Sequence, residues 1–206
     1  RVLVGTEAGL FQVDGSRIER IGSASGPPGA IADLALDPRN PSRLYVGRRD
    51  GLAVYERRGG RWDRQHHMEV GRLSHLAIAP SGTLWAGTEA SSVMRLTPTD
   101  PAAGITPDAP VSRFDTSDGL PSMRANLPYR VDDRIVVGTS DGPYRFDPAA
   151  ERFEPDPQLR APLPQPSRYV EPLVEDRDGR VWMRVGETDR PVTGRLRPGE
   201  DGTYTW

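Results

Sequence analysis

Short apolar segments recur along the chain at a regular spacing. Each consists of three mostly apolar residues followed by a small residue and a polar turn, and the five copies cover 2–6, 44–48, 84–88, 135–139 and 181–185. Short apolar runs that are bounded by turn residues are typical of β-strands. The starting points lie about 40 to 50 residues apart, which indicates a repeated structural unit.

Each repeat has enough strand-like segments for four strands, which we name A to D in chain order. The segment described above is strand B, and strand A precedes it at 31–36, 73–78 and 169–174. Turn residues such as Asp50 with Gly51 lead into strand C, which is predicted at 10–13, 52–55, 93–96 and 144–146. Strand D is predicted at 17–21, 61–64, 111–114, 152–154 and 203–206. The first repeat begins at strand B and lacks a strand A.

Four strands that return at a fixed spacing predict a particular all-β fold. Sandwiches and barrels also contain short strands, but they do not require the same four-strand pattern at this period. We therefore predict a β-propeller built of four-stranded antiparallel blades, with about five repeats in this chain, and favour a part of a larger ring. The domain prediction is one propeller or propeller fragment over 1–206, with repeat units at about 1–28, 29–70, 71–120, 121–165 and 166–206.

The second position of strand B carries a large side chain in every repeat. These residues are Leu3, Tyr45, Trp85, Val136 and Trp182. We expect all five in the core, where adjacent blades pack face to face.

The composition agrees with this fold and excludes several classes of function. The 22 Gly and 21 Pro leave few stretches long enough for helices, which argues against all-α and doubly wound α/β folds. The 27 basic residues, all Arg, balance 29 acidic ones, so the net charge of -2 gives no support to nucleic-acid binding. The absence of Cys excludes disulfides, iron–sulfur clusters and a thiol nucleophile. No apolar run is long enough to insert this segment into a membrane.

The five repeats of the chain resemble a known repeat family from end to end, and two stretches show the resemblance in detail. Residues 114–122, followed by 134–139 and 141–147, are similar to the two-component regulator propeller repeat, and 174–182 match the middle of that repeat. Pro143 and Arg184 depart from the family pattern, which has Leu and Gly there. The resemblance implies the periplasmic or extracellular sensor region of a hybrid two-component system, with a larger ring. Because the chain begins at Arg1 without Met, we expect a segment of a longer protein.

The candidate site follows from the geometry of a propeller. The A strands line a central channel, and the resemblance implies that the B-to-C turns and the starts of the A strands share the face that binds a ligand or partner. The ligand-binding candidates on this face are Arg48, His75, Arg124, Asn126, Arg168 and Tyr169. Arginines at a channel mouth would bind carboxylate or sulfate groups in a bidentate manner, and a tyrosine could stack on a sugar ring. The alternative is that these are solvated loop residues.

Further charged residues are expected in the B-to-C turns of the same face. They are Glu7, Arg49, Asp50, Glu89, Asp141, Glu187 and Asp189.

No motif in the sequence indicates a metal site, a cofactor or a catalytic residue. His66 and His67 are adjacent in a predicted strand, so their side chains point to opposite faces and cannot hold one ion together. The stretch 176–179 begins like a calcium loop but lacks the later carboxylates, and a hairpin turn explains it. The Pro-rich stretch 155–166 is predicted to be an extended D-to-A connection. Nucleophile elbows, phosphate-binding loops and zinc-protease motifs are absent.

These observations predict a non-enzymatic propeller that senses a ligand or binds a protein, as the input module of a two-component regulator. One alternative is a streptogramin lyase-like or sialidase-like enzyme. The lyase needs a histidine and an acid at the channel mouth, for which His75 is the only candidate, and the repeated boxes of a sialidase are absent. Another is an adhesion or scaffold propeller. Expected partners are a small molecule or carbohydrate, or a partner protein, with neither nucleic acid nor membrane insertion. Dimerisation through open strand edges is also possible.

Overall fold

The computed structural model describes residues 1–22, 30–122, 126–164, 169–187 and 190–206. Within these ranges the chain forms five antiparallel sheets, and in each sheet the strands pair in the order in which they follow along the chain. Each sheet is therefore a meander, in which each strand pairs with the one that follows it along the chain. We number these sheets blades 1 to 5.

The first three blades contain eleven strands. Blade 1 consists of β1 (Val2–Thr6), β2 (Gly9–Asp14) and β3 (Arg17–Ile21). Blade 2 consists of β4 (Ile31–Asp37), β5 (Asn40–Arg48), β6 (Gly51–Arg58) and β7 (Arg61–Met68). Blade 3 consists of β8 (Leu73–Ile78), β9 (Leu84–Thr88), β10 (Val93–Leu96) and β11 (Val111–Phe114).

The last two blades have four strands each. Blade 4 consists of β12 (Leu127–Val131), β13 (Arg134–Thr139), β14 (Gly142–Asp147) and β15 (Arg152–Pro155). Blade 5 consists of β16 (Tyr169–Glu175), β17 (Val181–Glu187), β18 (Arg190–Pro198) and β19 (Tyr204–Thr205). Among the described residues, two short helices lie between strands, a 3-10 helix at Thr116–Asp118 and the single turn α1 at Pro157–Arg160.

The chain divides into two compact units. Unit 1 comprises Arg1–Glu89 and Arg95–Val111, and unit 2 comprises Ala90–Met94 and Ser112–Trp206, so blade 3 contributes residues to both. The first described strands of neighbouring blades lie beside each other. In unit 1, β1 and β8 each contact β4, and in unit 2, β12 contacts β16.

A small residue in the second strand of a blade allows the next blade to come close. A Cβ at Gly47 in β5 would lie 3.2 Å from the side chain of Leu76 in β8. A Cβ at Gly138 in β13 would lie 2.5 Å from the carbonyl oxygen of Val170 in β16. The distance at Gly138 would force the backbone to shift, and the distance at Gly47 is tighter than most Cβ contacts, so a residue without a Cβ allows the close approach of the blades at both places.

The large side chains of strand B occupy the core in the middle repeats, as predicted. Tyr45, Trp85 and Val136 are all buried. Trp182 in blade 5 is 40% exposed, so the prediction of a core position is wrong there. Its indole Nε1 instead donates to Asp176 at 2.9 Å, and the Arg195 guanidinium lies 5.0 Å from the ring centroid.

The Pro-rich stretch does not remain extended. Asp156 caps the N-terminus of α1, and its Oδ1 accepts hydrogen bonds from the backbone N–H groups of Gln158 and Leu159, both at 3.0 Å. Pro157 occupies the first helical position, where its fixed φ favours the helix. The prediction of an extended connection is therefore wrong for the residues of α1. Residues 165 and 166 of the stretch lie outside the described ranges.

The predicted hairpin turn at 176–179 is confirmed. The Asp176 carboxylate accepts hydrogen bonds from the backbone N–H groups of Asp178 at 2.9 Å and of Arg180 at 3.0 Å. This carboxylate organises the turn itself.

Candidate functional site

The predicted ligand-binding residues are divided between the two units. Arg48 ends β5 and His75 lies in β8, both in unit 1. Asn126 precedes β12 and Tyr169 begins β16, both in unit 2. The other two candidates, Arg124 and Arg168, lie outside the described residues.

A histidine and a carboxylate meet on neighbouring inner strands of unit 1. His75 Nδ1 in β8 lies 2.8 Å from Oδ2 of Asp33 in β4, and the two side chains are 28% and 24% exposed. The same carboxylate accepts hydrogen bonds from the backbone N–H groups of Leu76 and Leu34, each at 2.8 Å. The pair is thus held by both strands and still reaches solvent.

The electrostatics of this pair favour an ionised carboxylate. Burial raises the pKa of Asp33, but the hydrogen bond and charge of His75 and the two backbone N–H groups lower it by more. The pKa of Asp33 therefore lies below its ordinary value of 3.8. A carboxylate that accepts from one nitrogen of an imidazole fixes the orientation of the ring, as in many catalytic and binding sites.

Arg48 forms a local ion pair at the turn between β5 and β6. Its Nε lies 2.7 Å from Oδ1 of Asp50, and its Nη2 lies 3.1 Å from Oδ2 of the same residue. The Arg48 hydrogen bonds lower the pKa of the Asp50 carboxyl, against the opposing effect of burial. His67 Nε2 lies 3.1 Å from the Asp50 carbonyl oxygen. Arg48 is buried, so a ligand would meet its carboxylate partner first.

A second group of charges lies on the same side of unit 1, where β8 begins and β9 ends. The Glu89 carboxylate lies 2.9 Å from Nη1 of Arg72 and 3.8 Å from Nε of Arg49. The two arginine side chains are 62% and 61% exposed, and Glu89 is 41% exposed. A carboxylate or sulfate from solution could therefore reach both guanidinium groups in competition with Glu89.

In unit 2, Asn126 is buried and connects two segments. Its Nδ2 donates to the carbonyl oxygens of Ser91 at 2.6 Å and Ser122 at 2.7 Å. Its Oδ1 has no hydrogen-bond partner within the described part of the chain. Two carbonyl acceptors fix the orientation of the amide, so Asn126 positions the chain before β12.

The turn between β13 and β14 carries a further polar group. Asp141 Oδ2 accepts from the Tyr144 hydroxyl at 3.0 Å and from Nη2 of Arg160 at 3.1 Å. Burial and the neighbouring Asp141 carboxylate raise the pKa of Tyr144. Tyr169, at the start of β16, is half-buried.

The two adjacent histidines of β7 point to different partners. His66 Nε2 lies 3.0 Å from the carbonyl oxygen of Ile105, whereas His67 contacts Asp50. No cluster of three or more metal-ligating side chains is found among the residues that the structure describes.

His75 is among the ligand-binding residues predicted from the sequence, whereas its partner Asp33 is not. A signal for this pair exists in the repeat alignment, because Asp33 is paired with Gly47 and His75 with Gly87, at the same place in the strand. The corresponding residue of blade 4 is Leu127, which is paired with Gly138. A polar residue at this inner-strand position in both blade 2 and blade 3 therefore marks the two members of the pair.

Comparison with known proteins gives a fold but no family. No protein-family model matches the sequence, and no curated protein matches it. Solved structures do match over nearly the whole chain, among them the extracellular domain of the hybrid two-component system BT4673 from B. thetaiotaomicron. The identity is 22%, the TM-score is 0.68, and the match covers 98% of this chain. The chain has a β-propeller fold.

Two further structures agree with this assignment. The extracellular domain of the hybrid two-component system BT3049 from B. thetaiotaomicron is 16% identical, with a TM-score of 0.65 over 97% of this chain. YCF48 bound to the D1 peptide is 15% identical, with a TM-score of 0.59 over 95% of this chain and 59% of YCF48. The chain spans 25% of the BT4673 domain and 30% of the BT3049 domain.

The propeller prediction is thus confirmed, as is the likeness to sensor-region propellers. In the described ranges, no helix is long and apolar enough to cross a membrane.

Proposed function

We propose that this chain is a non-enzymatic input module of a two-component signal transduction regulator and acts in the periplasm or outside the cell. The likeness in fold to the extracellular domains of BT4673 and BT3049 supports a sensor role. This likeness is the observation that carries the proposal, and the Asp33 and His75 pair adds a carboxylate and an imidazole on inner strands, within reach of solvent. On this proposal the repeat units over 1–206 belong to one propeller domain or propeller fragment.

The chemistry of unit 1 suits a ligand with hydroxyl groups and an anionic group. Asp33 and His75 can hydrogen bond to hydroxyls, because each side chain is about a quarter exposed. Arg72 and Arg49 can exchange Glu89 for a carboxylate or sulfate of the ligand, because both guanidinium groups are largely exposed. An acidic sugar carries both kinds of group, as does an acidic segment of a partner protein.

Calorimetric titration tests the binding part of the proposal. Galacturonate is the acidic probe and galactose its neutral counterpart. We expect galacturonate to bind more tightly than galactose, and we expect His75→Ala and Arg72→Gln each to weaken its binding at least tenfold. Arg61→Gln is the matched control, because Arg61 begins β7 at the opposite end of blade 2. Binding that both site variants leave unchanged would rule out this site, and equal binding of the two sugars would rule out the anionic contact.

The signalling part is tested by the reading frame around the chain. A membrane span together with a histidine-kinase core in the same reading frame would support the input-module role. A secretion signal followed by an early stop codon would refute it and would leave the binding data unaffected.

A second candidate function is a streptogramin lyase-like or sialidase-like enzyme, which the Asp33 and His75 pair also favours. An imidazole oriented by a carboxylate is a common general base. The test is turnover of a streptogramin B lactone and of a fluorogenic sialoside, with His75→Ala as the comparison. Turnover by the wild type that His75→Ala abolishes would establish the enzyme. Absence of turnover by the wild type would leave the sensor proposal in place.

A further inference from the structure

Two carboxylates at the ends of the second strands of blades 2 and 3 hold arginines in different ways. Asp50 uses both oxygens on the single guanidinium of Arg48, at 2.7 and 3.1 Å. Glu89 divides its oxygens between two guanidinium groups. Its Oε2 lies 2.9 Å from Nη1 of Arg72, and its Oε1 lies 3.8 Å from Nε of Arg49. Because a bidentate pair with one arginine is the stronger arrangement, a ligand displaces Glu89 more easily than Asp50.

The exposure of the arginines points in the same direction. The Arg48 side chain is 9% exposed, whereas those of Arg72 and Arg49 are 62% and 61% exposed. An ion pair in contact with water contributes little to stability, because both charges are well solvated when they separate. An anion that replaces Glu89 therefore gains two guanidinium groups, while the chain loses little.

The backbone of Glu89 does not depend on these ion pairs. Its N–H donates to the carbonyl oxygen of Arg72 at 3.1 Å, directly after the pair of Leu73 and Thr88 in the ladder of β8 and β9. The carboxylate can thus leave the arginines by rotation of its own side chain. Exposed side chains change rotamer in nanoseconds or less, so this exchange needs no movement of the strands.

The two guanidinium groups come from different blades of unit 1. Arg49 follows β5 of blade 2, and Arg72 precedes β8 of blade 3. Within the described ranges, Glu89 is the carboxylate that forms an ion pair with either of them. Its departure leaves two positive charges near each other, so this place attracts an anion, whether the anion belongs to the chain or comes from solution.

We propose that Glu89 is an internal competitor of the ligand, because its carboxylate occupies the anion subsite of Arg72 and Arg49 and has to leave before a ligand carboxylate or sulfate enters. Glu89 thereby raises the concentration at which acidic ligands bind. Neutral ligands are not affected, since they do not replace it. This inference rests on the proposed function, as it concerns the same arginines, and it adds the regulation of that site.

Calorimetric titration of the whole 206-residue chain with galacturonate tests the competition. Glu89→Gln keeps the length of the side chain and removes its charge, and we expect it to tighten galacturonate binding at least threefold. Galactose binding should change less than twofold. Glu69→Gln is the matched control, because Glu69 is exposed between β7 and β8 and the same charge is removed there without contact to either arginine.

A double variant shows whether the gain depends on the arginines. In the Arg72→Gln background, Glu89→Gln should tighten galacturonate binding less than twofold, because Arg72 makes the closer contact with Glu89. A full threefold gain in that background would contradict the competition for Arg72. If Glu89→Gln does not fold, as judged by circular dichroism, Glu89→Ala replaces it in the same tests.

Inorganic sulfate separates this inference from the proposed ligand. We expect Glu89→Gln to bind sulfate at least threefold more tightly than the wild type. The ¹³C signal of the Glu89 carboxyl carbon, assigned by its loss in Glu89→Gln, should shift when sulfate saturates the wild type. Equal sulfate affinity of the two proteins, absence of binding to both, the same gain in Glu69→Gln, or an unchanged Glu89 signal would each overturn the inference. A wild type that binds sulfate but not galacturonate would refute the proposed ligand alone, and the sulfate titration of Glu89→Gln would still decide the competition.

Discussion

The buried ion pair between Arg43 and Asp37 is expected to dominate the response of unit 1 to mutation. The two side chains are 5% and 1% exposed, and Arg43 Nη1 lies 3.1 Å from Asp37 Oδ2. The other contacts of the guanidinium are with Glu56 Oε1 at 3.3 Å and the Ala102 carbonyl oxygen at 2.9 Å. Asp37→Ala therefore leaves a buried cation with one partly exposed carboxylate and one carbonyl.

Removing one partner of a buried ion pair costs about 3 to 5 kcal/mol, because the remaining charge is desolvated without compensation. The two contacts that remain at Arg43 place Asp37→Ala at the lower end, about 3 kcal/mol of unfolding free energy. The measurement is urea unfolding followed by tryptophan fluorescence. Glu19→Gln is the control, because its pair with Arg17 is exposed and should contribute less than about 0.5 kcal/mol.

A double variant tests the physical reason. Asp37→Leu combined with Arg43→Met removes both charges and fills the space with apolar groups, so its stability should return to within about 1 kcal/mol of the wild type. A cost below about 1 kcal/mol for Asp37→Ala, or a double variant no more stable than the single one, would contradict the argument from the uncompensated charge.

Three further predictions concern titration and sterics. The lowered pKa of Asp33 stabilises the fold above pH 3.8, and this stabilisation is lost as the pH falls through the native pKa. The unfolding free energy of Asp33→Asn should therefore fall less steeply than that of the wild type between pH 5 and pH 2. Burial and the hydrogen bond to Asp132 raise the pKa of Tyr204 to about 12, so in an ultraviolet titration Tyr204→Phe should remove the absorbance change of one tyrosine near pH 12 and leave the change near pH 10 intact. Gly104→Ala should destabilise the chain more than Gly59→Ala in urea unfolding. Both glycines have positive φ, but only at Gly104 would a Cβ lie under 3 Å from Arg43 and Tyr45.

The strands that could be predicted are those whose sequence pattern is local. The predicted strands 17–21, 73–78, 93–96 and 111–114 coincide with β3, β8, β10 and β11. Their apolar alternation and their turn residues lie within the segment itself, so no distant contact is needed to define them. β18 has no such pattern, since it contains Pro191, Gly194 and Pro198, and it is recognised only through its pairing with β17.

Contacts between segments explain the predictions that are wrong. Trp182 has the same place in its repeat as Tyr45, and the difference in exposure depends on what lies against the face of the blade. The helix α1 depends on Asp156, which is fully buried beside Arg134 in β13. A capping residue followed by Pro is a helix signal, but a single turn is stabilised mainly by such tertiary contacts.

The candidate site was predictable in its residue types but not in its pairings. The rim position of Arg48 follows from the repeat, whereas its bidentate contact with Asp50 depends on the conformation of the turn between them. The pair of Asp33 and His75 joins two blades, so its members are about 40 residues apart in the chain. Alignment of the repeats puts the two residues at equivalent positions, and equivalent residues of neighbouring inner strands lie side by side. Polar residues at equivalent positions of neighbouring inner strands are therefore a sequence signal for a side-chain pair of this kind.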